Sequence, residues 1–293
     1  MSLIAVCFGE VLWDVFPTHK KIGGAPLNVA LRLNSFGIDT YMASKVGRDK
    51  NGQIILDHVS NNGVHINLVQ QDSQYKTGEV SVILDTSGNA TYDIKAPVAW
   101  DHIEFDSDLE DQTAASDVFI FGSLVCRNQA SKRTLLKALS LAKFKVFDVN
   151  LRAPHYDHDV LLELMKQADF IKFNDEEIVE ICDCNNLKYN SLETQIKVIS
   201  GFTNTHKICV TLGSKGAILF FNEAFYYNKG IQVKVADTVG AGDSFLASLI
   251  YQLLSGYQPQ KSLDFACVVG ALVASKEGAN PVIQEEEINN HLQ

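Results

Sequence analysis

Apolar residues run along this chain in two rhythms. Leu3 to Phe8 is a continuous apolar run, the signature of a strand buried on both faces of a parallel sheet. After Pro26 the apolar positions keep helical spacing, and the prediction continues with a strand over 40–46, a helix over about 51–61 and a short strand over 66–70. Residues 76–94 break the alternation. Thr77 to Asp85, a Ser87-Gly88-Asn89 turn and Ala90 to Ile94 read as a β-hairpin. From Asp117 the rhythm is regular. Strands at 118–122, 145–150, 170–173 and 207–211 alternate with helices at 130–142, 158–167, after Asn174 and at 191–201. A hairpin over 217–227, a strand over 231–235 and helices at 245–255 and 260–276 complete the chain. The pattern predicts an α/β fold, a doubly wound, mostly parallel central sheet flanked by helices. The hairpin is expected to pair with residues 10–22 as a small β-sheet lid. No linker interrupts the sequence, so residues 1–293 are expected to form one domain.

Composition narrows the function. The 293 residues are 46% hydrophobic and 20% charged, with a formal net charge of −10. No Lys/Arg run exceeds two residues, which disfavours a nucleic-acid partner, whose phosphates need a basic footprint. No 18-residue uncharged apolar run predicts a membrane span, and the N-terminus lacks a basic region for a signal peptide. Six scattered cysteines without a C-x-x-C pair suit a reduced, cytoplasmic protein. Cys182-Asp183-Cys184 is expected to end a helix. His155 and His158 lack a third ligand at metal spacing.

Chemistry gathers at the ends of the predicted strands. Asp237-Thr238-Val239-Gly240-Ala241-Gly242-Asp243-Ser244-Phe245 lies before a buried helix. A helix start offers unpaired N–H groups and a positive dipole end to an anion, and Asp243 can meet a substrate hydroxyl there. The same dipole is expected to keep Asp243 ionised. Asp14 follows the first strand, and Gly23-Gly24-Ala25-Pro26-Leu27-Asn28 opens a helix whose Asn28 can both donate to and accept from a sugar hydroxyl. Asp148-Val149-Asn150-Leu151-Arg152 spaces three polar residues by two, so that they would share one strand face, with Asp148 holding Arg152. Asn174-Asp175-Glu176-Glu177 fits a helix capping box; Glu177 could also hold a water on Mg²⁺ while Asn174 nears nucleotide phosphates. Thr211-Leu212-Gly213-Ser214-Lys215-Gly216 is not the Walker pattern, but could line a nucleotide or simply turn a hairpin.

Taken in order, these stretches resemble the ribokinase-like sugar kinases of the phosphofructokinase B type, essentially end to end. Gly23 to Ala30 with Lys45 to Gly52 is similar to the family's N-terminal signature, and Asp237 to Phe245 to its C-terminal one. The resemblance implies ATP-dependent phosphorylation of a sugar hydroxyl with Mg²⁺ and, in some relatives, a monovalent cation. It implies Asp243 as catalytic base, the N–H groups of Gly240, Ala241 and Gly242 as anion hole, and Arg152 on the transferring phosphoryl group. It places Asp14, Gly24 and Asn28 on the sugar. Asn174, Glu177, Thr211, Gly213 and Gly216 fall on the ATP–Mg²⁺ side, and Asn280 in the adenine pocket. Gly9-Glu10-Val11-Leu12-Trp13-Asp14 looks most like bacterial fructokinases; ribokinase, 2-keto-3-deoxygluconate kinase and nucleoside kinases are the alternatives. A catalytically silent sugar-binding regulator would have no chemical need for Asp243. An apolar lid face would find its simplest cover in a homodimer.

Overall fold

Hydrophobic parity along the first strand organises the molecule. In the computed structural model, which describes residues 3–84 and 90–292, β1 (Ile4–Phe8) sends Ala5 and Cys7 into one core cluster and Val6 and Phe8 into another. Successive side chains leave a strand on opposite faces, so a continuous apolar run needs helices on both sides. The elements that follow are β2 (Leu12–Val15), β3 (Lys20–Gly23), α1 (Ala25–Ser35), β4 (Asp39–Gly47), α2 (Lys50–Asn61), β5 (Val69–Asp72), β6 (Gly78–Leu84) and β7 (Ala90–Ile94). Then come α3 (Ser107–Ala115), β8 (Val118–Gly122), α4 (Gln129–Leu139), β9 (Lys145–Asp148), α5 (His158–Gln167), β10 (Phe170–Asn174), α6 (Asp175–Cys184) and α7 (Leu192–Thr203). β11 (Lys207–Thr211), β12 (Ala217–Phe221), β13 (Ala224–Asn228), α8 (Ala241–Leu254), α9 (Pro259–Ala274) and α10 (Glu285–Leu292) complete the chain.

The nine-stranded sheet has the order β13-β12-β11-β10-β9-β8-β1-β4-β5. It is parallel from β11 to β5, and β12 and β13 extend it antiparallel. On one face Val29, Ala30 and Leu33 of α1 meet Leu246, Leu249 and Ile250 of α8; on the other, Leu135, Leu161, Ile178 and Ile196 of α4 to α7 cover Phe119, Phe121 and Phe147. Phe121 and Phe147 stack with centroids 5.0 Å apart across β8 and β9. Truncating such a buried ring costs about 3–5 kcal/mol.

A separate four-stranded sheet has the order β3-β2-β6-β7. The hairpin therefore does join residues near 10–22, with β2 and β6 running parallel and both outer pairs antiparallel. The expected Ser87-Gly88-Asn89 turn lies outside the described residues. The small sheet is tied to the main body by Arg127. This side chain donates to both oxygens of Asp101 and to the carbonyls of Ile94 and Lys95, and lies over the Trp100 ring.

Three local expectations change. Residues 231–235 are extended but pair with no strand; Ile231 instead packs with Val268 and Val269 of α9. Alternation makes a strand only where a sheet edge accepts it; here Ile231 packs on a helix while Val235 stays exposed. β9 stops at Asp148, because Asn150 turns to φ 40°. The apolar helix α8 begins at Ala241 rather than 245, which puts Asp243 inside its first turn. The acidic helix α3 and the terminal α10 lack the apolar rhythm that would announce them. Cys184 does end α6.

Candidate active site

The carboxyl edge of a parallel sheet is where loops and helix starts converge, and there the sequence left its polar residues. Gly240 is the N-cap of α8, with φ 75°, and no side chain caps the helix. A Cβ at Gly240 would lie 2.4 Å from the Ala279 carbonyl oxygen, so the tight turn before α8 requires glycine. Helix starts carry N–H groups without intrahelical partners, and here no side chain claims them. Gly240, Ala241 and Gly242 form the N-cap and the first two residues of α8.

Asp243, in the first turn, accepts a hydrogen bond at Oδ2 from Asn28 Nδ2 at 2.8 Å. Asn28 belongs to the first turn of α1, which starts at Ala25 behind Gly24. Gly24 has φ 119°, and a Cβ there would lie 2.4 Å from the Glu10 carbonyl, so a glycine lets α1 start directly against the loop after β1. Asp14 lies in β2 with its carboxylate against Gly23, where a side chain would collide with it. The two wall residues expected on the sugar, Asp14 and Asn28, therefore flank one glycine turn.

Burial raises all three carboxyls of this wall. Asp243 stands at about 6, pushed up by burial and by Asp148, and drawn down by Asn28, Lys172 and Arg152. Asp14 is also at about 6, raised by burial against the pull of Arg152 and Lys21. Glu10, 3% exposed, stands at about 7, raised by burial and Asp243 and drawn down by Arg152 and the Ala25 N–H. Asp243 is therefore a stronger base than the helix dipole alone implied, because desolvation outweighs it.

Asp148 does not hold Arg152. Its partner is Lys172, whose Nζ donates to Oδ1 at 2.9 Å, both side chains being under a tenth exposed. The two residues are register neighbours on β9 and β10. Burial opposes the charge on Lys172, yet Asp148, Glu177 and Asp243 hold its pKa above the ordinary lysine range. Since the strand ends at Asp148, Asn150 and Arg152 leave its face. Arg152 is exposed and donates to the Leu151 carbonyl, while its charge acts on Glu10, Asp14 and Asp243.

The Asn174–Glu177 capping box forms in full. Asn174 Oδ1 accepts from the Glu177 N–H at 2.7 Å, and Glu177 Oε2 from the Asn174 N–H at 2.8 Å. Glu177 Oε1 also accepts from Leu151 N–H at 2.9 Å, tying the loop after β9 to α6. Thr211 ends β11 and donates to the Phe173 carbonyl. Gly213 opens a 3₁₀ turn with open space above it, whereas Gly216 packs against the backbone of Asn228 and Gly230. Asn280 donates its amide to Asn28 Oδ1 at 2.9 Å, placing it behind the base on the Asn28 side.

Sequence reasoning passed over Glu10, Arg32 and Lys172. Arg32 donates to Ser244 Oγ at 3.1 Å and to the Pro281 carbonyl at 2.9 Å. It lies four residues after Asn28 on the same helix face, a spacing that could have revealed it. A lysine inside the apolar strand Phe170-Ile171-Lys172-Phe173 could also have been found, since a buried charge needs a partner.

For a divalent ion, the described residues hold no cluster of three metal-ligating side chains. Asp148 Oδ2 is buried without a partner, beside a single ammonium shared with Glu177. That donor set fits Mg²⁺ carried largely by phosphates and water, with Asp148 and Glu177 as outer acceptors.

Three comparisons with known proteins point to one family. A family model described as pfkB family carbohydrate kinase matches residues 2–286. A sugar kinase of Pyrococcus horikoshii is 30% identical over 98% of this chain and 91% of its own length. Fructokinase-2 of Solanum lycopersicum is 26% identical over 96% and 93%. The crystal structure of the Pyrococcus horikoshii protein superposes with a TM-score of 0.85 at 27% identity, covering 100% of both chains. That protein has also been solved in complex with ATP, with a TM-score of 0.83 at 27% identity, covering 99% of this chain and 100% of the other. From its signatures, its fold and this carboxyl-edge site alike, the chain belongs to the pfkB family of carbohydrate kinases.

Proposed function

We propose that this kinase transfers the γ-phosphoryl group of ATP to a hydroxyl of fructose, with Asp243 as the base. The observation that carries the reading is the Asn28–Asp243 hydrogen bond, which joins the sugar wall to the uncapped start of α8. Asn28 occupies Oδ2, leaving Oδ1 to accept the sugar proton as the sugar oxygen bonds to phosphorus and ADP leaves. The transferring group gathers charge on its oxygens, and fixed N–H dipoles at Gly240 to Gly242 answer that charge without reorganising. Arg152, at the rim, adds a cation on the approach path. Asp14 and Gly24 complete the sugar wall, and Asn174, Thr211 and Gly213 border the nucleotide. Bound Mg²⁺ would neutralise phosphate charge, with Glu177 and Asp148 the residues placed to hold its water shell. The small sheet that carries Asp14 covers the pocket as a lid.

Fructose is favoured by the Gly9-to-Asp14 stretch and by the plant fructokinases among the relatives. A coupled ADP-release assay over fructose, ribose, 2-keto-3-deoxygluconate and nucleosides tests this. Turnover with fructose at the highest kcat/KM supports it. Turnover with a nucleoside alone refutes the sugar choice, and no release from any of them favours a binding protein on this fold.

A further inference from the structure

Four consecutive residues behind the reacting groups are each fastened to a different part of the site. Gly278 donates its N–H to Asp237 Oδ2 at 3.2 Å. Ala279 packs against Gly240 so closely that no Cβ fits between them. Asn280 donates to Asn28, and the Pro281 carbonyl accepts from Arg32, which also holds Ser244. The segment therefore touches both walls of the phosphoryl-transfer centre without facing the reaction itself.

We propose that Asn280 is a positioning residue for phosphoryl transfer, setting through Asn28 both the direction of the Asn28 amide and the Asp243 oxygen left free for the sugar proton. The inference rests on the reading of Asp243 as the base. Its logic is one of donors and acceptors. An ionised Asp243 can only accept, so Asn28 must turn its NH₂ toward it. The Asn28 carbonyl then faces Asn280, which must answer with its own NH₂. The observed bonds, Asn280 Nδ2 to Asn28 Oδ1 at 2.9 Å and Asn28 Nδ2 to Asp243 Oδ2 at 2.8 Å, run in that order. Asn280 Oδ1 is left buried with no partner. A side chain selected only to fill space would avoid that cost, whereas one selected as a donor must bear it.

The charges that face Asp243 are Asp148 at the end of β9, Lys172 on β10, Arg152 after β9 and Glu10 after β1. None of them contacts Asn280 by a hydrogen bond or an ion pair, so a change at Asn280 reaches Asp243 through Asn28. Without its amide donor, Asn28 is free to turn its carbonyl toward Asp243. The carboxylate then loses a hydrogen bond that favours its ionised form, and its pKa rises.

The experiment is a carboxyl-carbon NMR titration of the full chain, with the Asp243 signal assigned by its loss in Asp243→Asn, alongside the pH dependence of kcat/KM. Asn280→Ala should move the Asp243 titration up by roughly half a unit or more. Asn280→Ser, whose hydroxyl is too short to reach Asn28, should reproduce the shift. Asn280→Asp, which forces the Asn28 amide around, should exceed both. In an Asn28→Ala background the Asn280→Ala substitution should add no further shift, since the messenger is gone. A titration unmoved by Asn280→Ala, even if the melting temperature falls, overturns the inference. So does an equal shift with and without Asn28. Failure of the underlying reading looks different: the NMR shift occurs, but the acid limb of kcat/KM does not follow it, or Asp243→Asn still turns over.

Discussion

Two helix starts lie at the same edge of the same sheet and are finished in opposite ways. At α6, Asn174 and Glu177 satisfy one another's backbone N–H groups, and Glu177 reaches on to Leu151. At α8, Gly240 takes φ 75° and no side chain caps the helix. Both ends have the dipole and the unpaired donors that bind anions. At α8 no side chain takes them, although the Ala241 N–H donates to the Thr238 carbonyl. The comparison teaches that the closed end organises the loop after β9, while the open end has no side-chain cap to compete with the phosphate proposed there. A cap at α8 would stabilise the helix and compete with its ligand.

The sharpest way to break this contrast is to remove the base at the open end. Asp243→Ala should lower kcat by about 10²-fold or more, while sugar binding measured by calorimetry persists. Near-wild-type turnover would remove Asp243 from the chemistry.

Next in size is the pH response. With Asp243 at about 6 and its ionised form required, kcat/KM should fall close to tenfold per unit below pH 6 and level off above it. Stability should run the other way. The folded pKa values of Glu10, Asp14 and Asp243 lie above their ordinary values of 4.5, 3.8 and 3.8, so their protonated forms suit the fold. That contribution is present below about pH 4 and is lost as pH rises through about 6–7. Asp243→Asn keeps an oxygen for Asn28 and removes the buried charge. It should raise the melting temperature of the ligand-free protein at pH 8 by about 2–4 °C, a gain that vanishes near pH 4. An equal gain at both pH values would point to packing instead.

Closing the open end is a smaller perturbation. Gly240→Ala places a Cβ against Ala279 at positive φ, so both the melting temperature and kcat should fall, the latter by about tenfold. Unchanged kinetics would show that the turn before α8 tolerates displacement. The mildest effect is expected at the closed end. Asn174→Ala removes a cap worth about 1 kcal/mol. Asn174→Asp keeps the cap but places a negative charge near the phosphates. It should leave the melting temperature alone and raise KM for ATP several-fold, and an unmoved KM would make α6 purely structural.

Much of this site was legible in residue types and spacing. The alternation of apolar segments announced the parallel sheet, and Gly-Ala-Gly-Asp before an apolar run announced a helix start. The Asn174–Glu177 box was legible because both partners lie within one turn. The partner of Asp148 was not. Alternation suggested Arg152, four residues on, but Asn150 ends the strand and Lys172, 24 residues away, takes the carboxylate. Residues 231–235 carried a strand's alternation without a strand's edge to join.

Local pattern thus determined most of the strands and helices and the Asn174–Glu177 cap, because those interactions span only a few residues. Tertiary structure decided the rest. It brought Asn28 to Asp243 across 215 residues and Asn280 to Asn28 across 252, and it raised the carboxyls of Glu10, Asp14 and Asp243 together. A pKa depends on how much water is excluded and which charges lie near, and burial and neighbours exist only once the chain has folded.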